Sequence, residues 1–405
     1  MRRALRIPID LVLVALSTAM ALYAVESVLA VRSPVSYATE WRCRRLGEPD
    51  KCIAAKAANL AFDTRTKLEV LRDLARSGAD PVPSVAGPAV IDLTAADGGG
   101  ALPFGGIARS DTVYCNESGE YVVYRSDEHG FRNPPGLYGE PPVAVVLGDS
   151  FARGYCVERD IASYLREGLG PALNLGIDDA GPLIELAALR EIAAPLGPPF
   201  VLWLFFEGND LIDLEREWER EPLQRYLAGG YRAGLFERQP EIDRRLGEFV
   251  ARGAKRPAAG VPAAPAPSPV ASFAALSRLR ELFHGAAVVP RSRDYPFDAE
   301  RLEAVLATAR EATHAWGGEL VFVYLPAWER FSEDGRANPH RDAILESVRD
   351  LGLPMVDVTE AFAAHPDPVS LFPFRMPGHY TQEGYRLVAA EVGNAISARR
   401  SASPR

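Results

Sequence analysis

The sequence predicts an α/β fold, a parallel sheet of about five strands with helices on both faces, carried outside a membrane by one N-terminal helix. Three observations point there. Short apolar runs at Val143 to Leu147, Ala172 to Leu175, Phe200 to Phe206, Leu320 to Leu325 and Met355 to Val358 read as buried strands. Stretches of helical spacing separate them, notably Pro182 to Ala194 and Ala299 to Trp316, and Gln382 to Ile396 closes the chain. Strands alternating with helices imply a parallel sheet covered on both sides. The third observation is an apolar stretch from Ile7 to about Val31, preceded by Arg2, Arg3 and Arg6.

That first stretch sets the address. Leu11 to Val25 carries no charge, and only Asp10 and Glu26 interrupt the wider span. About 20 apolar residues cross a bilayer core as a helix. The arginines hold the N-terminal end in the cytoplasm and place the rest outside. A cleavable signal peptide competes, with Ala19-Met20-Ala21 and Val28-Leu29-Ala30 as cleavage positions. The length of the run favours an uncleaved anchor over residues 1–33. The expected location is the inner (cytoplasmic) membrane, single-pass, with the rest periplasmic. Cys43, Cys52, Cys115 and Cys156 fit an oxidising compartment. Of three possible pairings, 43–52 and 115–156 are expected: the first pair flanks a turn-like Gly47-Glu48-Pro49-Asp50, and the second flanks segments placed near the sheet edge. No CxxC pair or HExxH helix suggests a metal, and no cofactor is expected. A formal net charge of −9 argues against nucleic acid as a partner.

Residues 34–141 read as an extracytoplasmic extension. Residues 34–78 look helical, a stalk or membrane-proximal piece, and Asp80 to Gly106 is Pro/Gly-rich loop. Thr112 to Cys115 and Tyr121 to Tyr124 are β-like runs around an Asn116-Glu117-Ser118-Gly119 turn. Asn116-Glu117-Ser118 also fits the glycosylation sequon, but a plain hairpin turn is the better reading. Residues 142–400 hold the alternating pattern, interrupted by an insertion at about 213–296. It opens with a charged helix near Leu214 to Arg225 and includes a Pro/Ala-rich linker at 254–272, and it is read as a lid or surface excursion.

In a parallel sheet the ligand crevice lies beyond the carboxyl ends of the strands. Gly148-Asp149-Ser150 follows the first strand, Asn174-Leu175-Gly176 ends the second, and Glu207-Gly208-Asn209-Asp210 ends the third. His379 stands just before the closing helix. Acyl transfer needs a base beside a serine hydroxyl and N–H donors for the oxyanion. The backbone amides of Ser150 and Gly176 with the Asn209 side chain would supply three donors. By contrast, Ser126 to Phe131, with two acids and His129, does not set three metal ligands on one face, and His284, His314, His340 and His365 stand singly.

Gly148-Asp149-Ser150, Gly176, Gly208-Asn209-Asp210 and His379, in that order, resemble the four blocks of the SGNH (GDSL-like) hydrolase superfamily. The resemblance covers about residues 142 to 400 minus the insertion. It implies a flavodoxin-like three-layer α/β/α sandwich and esterase chemistry, with Ser150 as nucleophile, His379 as base, and Gly176 and Asn209 as oxyanion donors. It also implies an ester substrate such as an O-acylated cell-surface carbohydrate, with exopolysaccharide-biosynthesis partners. The same residues would serve an O-acyltransferase. One position departs from the family, which usually carries an aspartate three residues before the histidine; here it is Met376, and Asp367 is the nearest acid upstream. Another carboxylate, a backbone carbonyl or a Ser-His dyad remains open for the imidazole. A non-catalytic binding or assembly protein is the reading from another class.

Overall fold

The structure is a computed structural model that describes residues 9–85, 104–255, 266–284, 297–333, 335–336 and 338–402. Most of the linker expected at 254–272 and the middle of the loop expected at 80–106 lie outside the described residues. The chain divides into two compact units, residues 1–64 with 259–290, and residues 65–258 with 291–405.

The larger unit contains two sheets. The small one joins β1 (Pro81–Pro83), β2 (Asp111–Val113) and β3 (Val123–Arg125), with β1 parallel and β3 antiparallel to β2. The β2–β3 pairing continues to the expected turn through Tyr114 N–H to Val122 O and Val122 N–H to Cys115 O. β1 falls in the stretch read as loop. Its two prolines hid it, since they suit only an edge strand, and an edge is where β1 lies.

The main sheet comprises β4 (Ala144–Leu147), β5 (Ala172–Asn174), β6 (Phe200–Phe206), β7 (Glu319–Leu325) and β8 (Met355–Asp357). All neighbours are parallel, in the order β5-β4-β6-β7-β8. Counted within this sheet the order is 2-1-3-4-5, that of the flavodoxin-like doubly wound fold. Successive side chains point to opposite faces of a strand, and the two core clusters divide accordingly. Val145, Leu147, Val201, Trp203, Phe205, Phe322 and Tyr324 meet the helices Pro182–Ala188, Ala299–Ala315 and Arg341–Asp350. Ala144, Val146, Leu202, Leu204, Val321 and Val323 meet Ile161–Leu169 and Gln382–Ala402. Each fully buried large apolar side chain contributes about 1.5–3 kcal/mol, so a strand apolar on both faces is stable only when both are covered. Part of the insertion joins the same core: Leu223, Tyr226, Leu235, Ile242 and Leu246 are buried with the first cluster.

In the smaller unit the helix Ile9–Arg32 is, among the described residues, long and apolar enough to cross a membrane by length and composition. Residues 34–64 hold two short helices, Tyr37–Cys43 and Pro49–Ala57. The helical stalk expected to residue 78 is thus broken, and its last part, Lys67–Arg76, belongs to the larger unit.

Candidate active site

The turn that presents Ser150 follows from the close approach of two backbones. β4 ends at Leu147, and Gly148 has φ 147°, a conformation L side chains rarely adopt. A Cβ there would also stand 2.8 Å from Ala152 Cβ and 3.0 Å from Leu204 Cβ. Asp149 then caps the short helix Ser150–Arg153, its Oδ1 accepting the Phe151 N–H at 2.8 Å. Ser150 therefore opens that helix at the carboxyl edge of the sheet.

Ser150 Oγ lies 2.7 Å from His379 Nε2. On the far side of the ring, His379 Nδ1 lies 3.0 Å from Glu117 Oε2. The carboxylate can only accept, which puts the ring proton on Nδ1 and leaves Nε2 to accept the serine proton. Glu117 also accepts the His379 backbone N–H through Oε1 at 3.1 Å, fixing both ends of the residue. Aromatic rings hold the imidazole in its plane: Tyr155 stacks on it at 4.0 Å and Phe151 packs against it at 4.6 Å. Glu117 is 1% exposed, so its charge is little screened by solvent.

Glu117 is the residue that sequence reasoning missed. It lies in the β2–β3 turn, 262 positions before His379, where the sequence showed only a hairpin turn. Neither Met376 nor Asp367 replaces it: Asp367 is engaged with Arg375. Two clues were present in the sequence, the missing aspartate and a cysteine two residues before Glu117 that was expected to bridge to Cys156. That bridge forms, with Cα atoms 5.2 Å apart, as does Cys43–Cys52 at 5.4 Å. A second clamp holds the hairpin against the helix that begins with Ser150. Arg153 bonds to Asp178 at 2.9 Å and to Tyr124 Oη at 2.6 Å, while Tyr114 donates to the other Asp178 oxygen.

Two of the three expected oxyanion donors, the Gly176 N–H and the Asn209 amide, already make hydrogen bonds at this edge. The Gly176 N–H donates to Asn174 Oδ1 at 2.8 Å, so an oxyanion would share that donor. Gly176 has a second reason to be glycine, because a Cβ there would lie 2.1 Å from Arg153 N. Asn209 Nδ2 donates to Asp213 at 2.6 Å and to Asp149 Oδ2 at 3.3 Å, which holds the amide beside the Gly148–Ser150 turn. β4 and β6 flank the point where strand order reverses, the usual crevice of such sheets. Ser150 and Asn209 follow those two strands.

Acids crowd beneath this edge. Burial raises the carboxyls of Asp149, Glu185 and Asp210 above the usual range; Asp213 adds to the shift of Asp149, and Asp149 to those of Glu185 and Asp210. Asp213 is pushed up to about 6 by burial, despite bonds from Asn209 and Arg216. Among the described residues neither buried oxygen of Glu185 has a hydrogen-bond partner, which suits a neutral acid. Among the described residues no group of His, Cys, Asp and Glu has the geometry to hold a metal.

No family model and no curated protein matches the chain. Solved structures do, at low likeness. A lipase/acylhydrolase from Enterococcus faecalis is 12% identical with a TM-score of 0.37, covering 63% of this chain and 95% of its own. A GDSL-like lipase from Bacteroides thetaiotaomicron is 13% identical at 0.34, covering 64% and 92%. An acetylxylan esterase from Geobacillus stearothermophilus is 12% identical at 0.35, covering 62% and 93%. Likenesses this low carry no argument, and function has to be read from Ser150, His379 and Glu117 themselves.

Proposed function

We propose that the chain is an exported serine esterase of the SGNH type, acting through an acyl-serine with Ser150 as nucleophile, His379 as base and Glu117 as the orienting acid. The observation that carries this is the unbroken run from Ser150 Oγ through the imidazole to Glu117, at 2.7 and 3.0 Å. Ser150 Oγ attacks the ester carbonyl as its proton passes to His379 Nε2. The imidazolium then forms against the Glu117 carboxylate. Collapse of the tetrahedral intermediate expels the alcohol, which takes the proton from Nε2, and water repeats the sequence on the acyl-serine. Asn209, the Ser150 N–H and the shared Gly176 N–H are the oxyanion donors in this reading. The reading of a non-catalytic SGNH-like protein drew its support from the absent aspartate, and Glu117 removes that support.

The test is labelling of the detergent-solubilised full chain with a fluorophosphonate probe, alongside turnover of acetyl esters that include an O-acetylated polysaccharide, the substrate class the family resemblance implies. The wild type should label at a single serine and Ser150→Ala should not. Undiminished labelling of Ser150→Ala would sink the assignment. Retention of the helix Ile9–Arg32 as a signal anchor, with the catalytic unit in the periplasm, belongs to the same proposal. A reporter active only in the cytoplasm, fused after Arg405, should be silent.

A further inference from the structure

The smaller unit buries a carboxylate where an apolar helix would not be expected to hold one. Glu26 interrupts the last turns of Ile9–Arg32, yet it is 0% exposed. A buried charge is costly unless it is paired and hydrogen-bonded, and two of its three partners come from some 250 residues further along the chain. Glu26 accepts the Arg278 N–H at 3.2 Å and the Leu279 N–H at 2.8 Å, at the start of the helix Ser277–His284, and Tyr37 Oη at 2.7 Å. Negative charge is favoured at a helix N-terminus. The Arg278 guanidinium bonds to Glu40 at 2.8 Å and to the carbonyls of Ala30 at 3.0 Å and Val35 at 2.7 Å, where the apolar helix ends. One turn lower on that helix, Tyr23 donates to Ala274 O at 3.0 Å and its ring stacks on Phe273. The segment 269–284 is therefore fastened to one end of the apolar helix by charge-assisted bonds.

That segment exposes apolar side chains next to the apolar helix. Val270, Leu282 and Phe283 are 77%, 59% and 77% exposed. Leu282 and Phe283 lie four residues beyond Arg278 and Leu279, so they continue the helix face that carries those two buried side chains. Val25, Val28 and Val31 of the apolar helix are exposed beside the same fastening. Large apolar residues contiguous with a membrane-length helix mark a lipid contact. We infer that the helices Pro269–Ala274 and Ser277–His284 lie in the outer boundary of the bilayer, clasped to the anchor through Glu26, with Val270, Leu282 and Phe283 among the acyl chains. This rests on the reading of Ile9–Arg32 as a membrane anchor. It also gives Glu26 a task that cleavage after Ala30 would abolish, because the Arg278 and Leu279 N–H groups would lose their acceptor.

Spin labels on introduced cysteines, read in nanodiscs by collision with oxygen and with a water-soluble nickel chelate, test it on the full chain. Each introduced cysteine is the one free thiol, since the native four are paired. Labels at Leu16→Cys and Phe283→Cys should both be oxygen-rich and nickel-poor, while one at the exposed Arg280→Cys should be nickel-rich. A lipid-like Leu16 label with a nickel-rich Phe283 label overturns the inference and leaves the anchor intact. A Phe283 label shielded from both reagents also overturns it, in favour of a protein partner. A nickel-rich Leu16 label would overturn the anchor reading itself, and the inference with it. Arg278→Ala should raise the mobility of the Phe283 label, and unchanged mobility counts against the clasp.

Discussion

At the scale of single residues, the site depends on an acid that arrives from outside the sheet. Glu117 fixes the imidazole through two bonds, one to Nδ1 and one to the backbone N–H of His379. Glu117→Gln keeps the size but no longer demands a proton on Nδ1, so the wrong tautomer becomes accessible. The loss of an orienting acid costs up to about 10⁴-fold in kcat. Glu117→Gln should therefore lower kcat by about 10²–10⁴-fold with little change in KM. A kcat within about twofold of wild type would return the site to a Ser-His dyad. Asn209→Ala should cost about 10²–10³-fold in kcat, the usual effect of one lost oxyanion donor. Because Asp213 and Asp149 hold that amide, Asp213→Asn should lower kcat by less than Asn209→Ala does, and steady-state kinetics on one acetyl ester ranks the two. Ser150 and His379 were legible because each sits at a strand or helix end that local pattern reveals. Glu117 was not, since nothing local distinguishes a turn acid that is 1% exposed from one in water.

Between residues and the whole lie the elements, and here the hairpin β2–β3 carries the acid that the proposed mechanism requires. It is joined to the segment after Ser150 by Cys115–Cys156 and by the Arg153–Asp178–Tyr114 cluster. A disulfide spanning 41 residues is worth roughly 4 kcal/mol in the chain-entropy model. The Cys115→Ser/Cys156→Ser variant should lose stability up to that order, read by denaturant melts, and lose kcat as Glu117 leaves His379. In the Glu117→Gln background the same change should lower stability but remove little further activity. A full additional loss of kcat there would show that the bridge acts on something other than the acid. The five main strands were readable to within a residue or so because each is apolar on both faces, and β6 matches its expected limits Phe200 and Phe206. β1 was not readable, being three residues with two prolines. The buried part of the insertion was also obscured: Ile242 and Leu246 show one apolar stripe in an otherwise charged helix, Gln239–Lys255.

Over the whole molecule, the larger unit buries an unusual number of acids, and this sets its response to pH. Burial pushes the carboxyl of Glu217 up to about 8, although it accepts the N–H groups of Gly181, Leu183 and Ile184. Asp127 is raised to about 6 for the same reason, against bonds from Asn133, His129 and Phe131. Glu185 and Asp210 move the same way. In each case the folded chain keeps a proton that the unfolded chain releases near the group's ordinary value. Between that value and the raised one the native state binds more protons, so stability falls as pH rises. For Glu217 the window runs from about 4.5 to about 8, and for Asp127 from about 3.8 to about 6. Each tenfold change in a group's acidity on folding corresponds to about 1.4 kcal/mol, so Glu217 alone can tilt the balance by several kcal/mol. Calorimetry of the full chain in detergent should therefore give a higher Tm at pH 5 than at pH 8. A Tm that climbs from pH 5 to pH 8 would mean that these acids are ionised and solvated in the native state, and the packing around Glu185 would then need water at its heart.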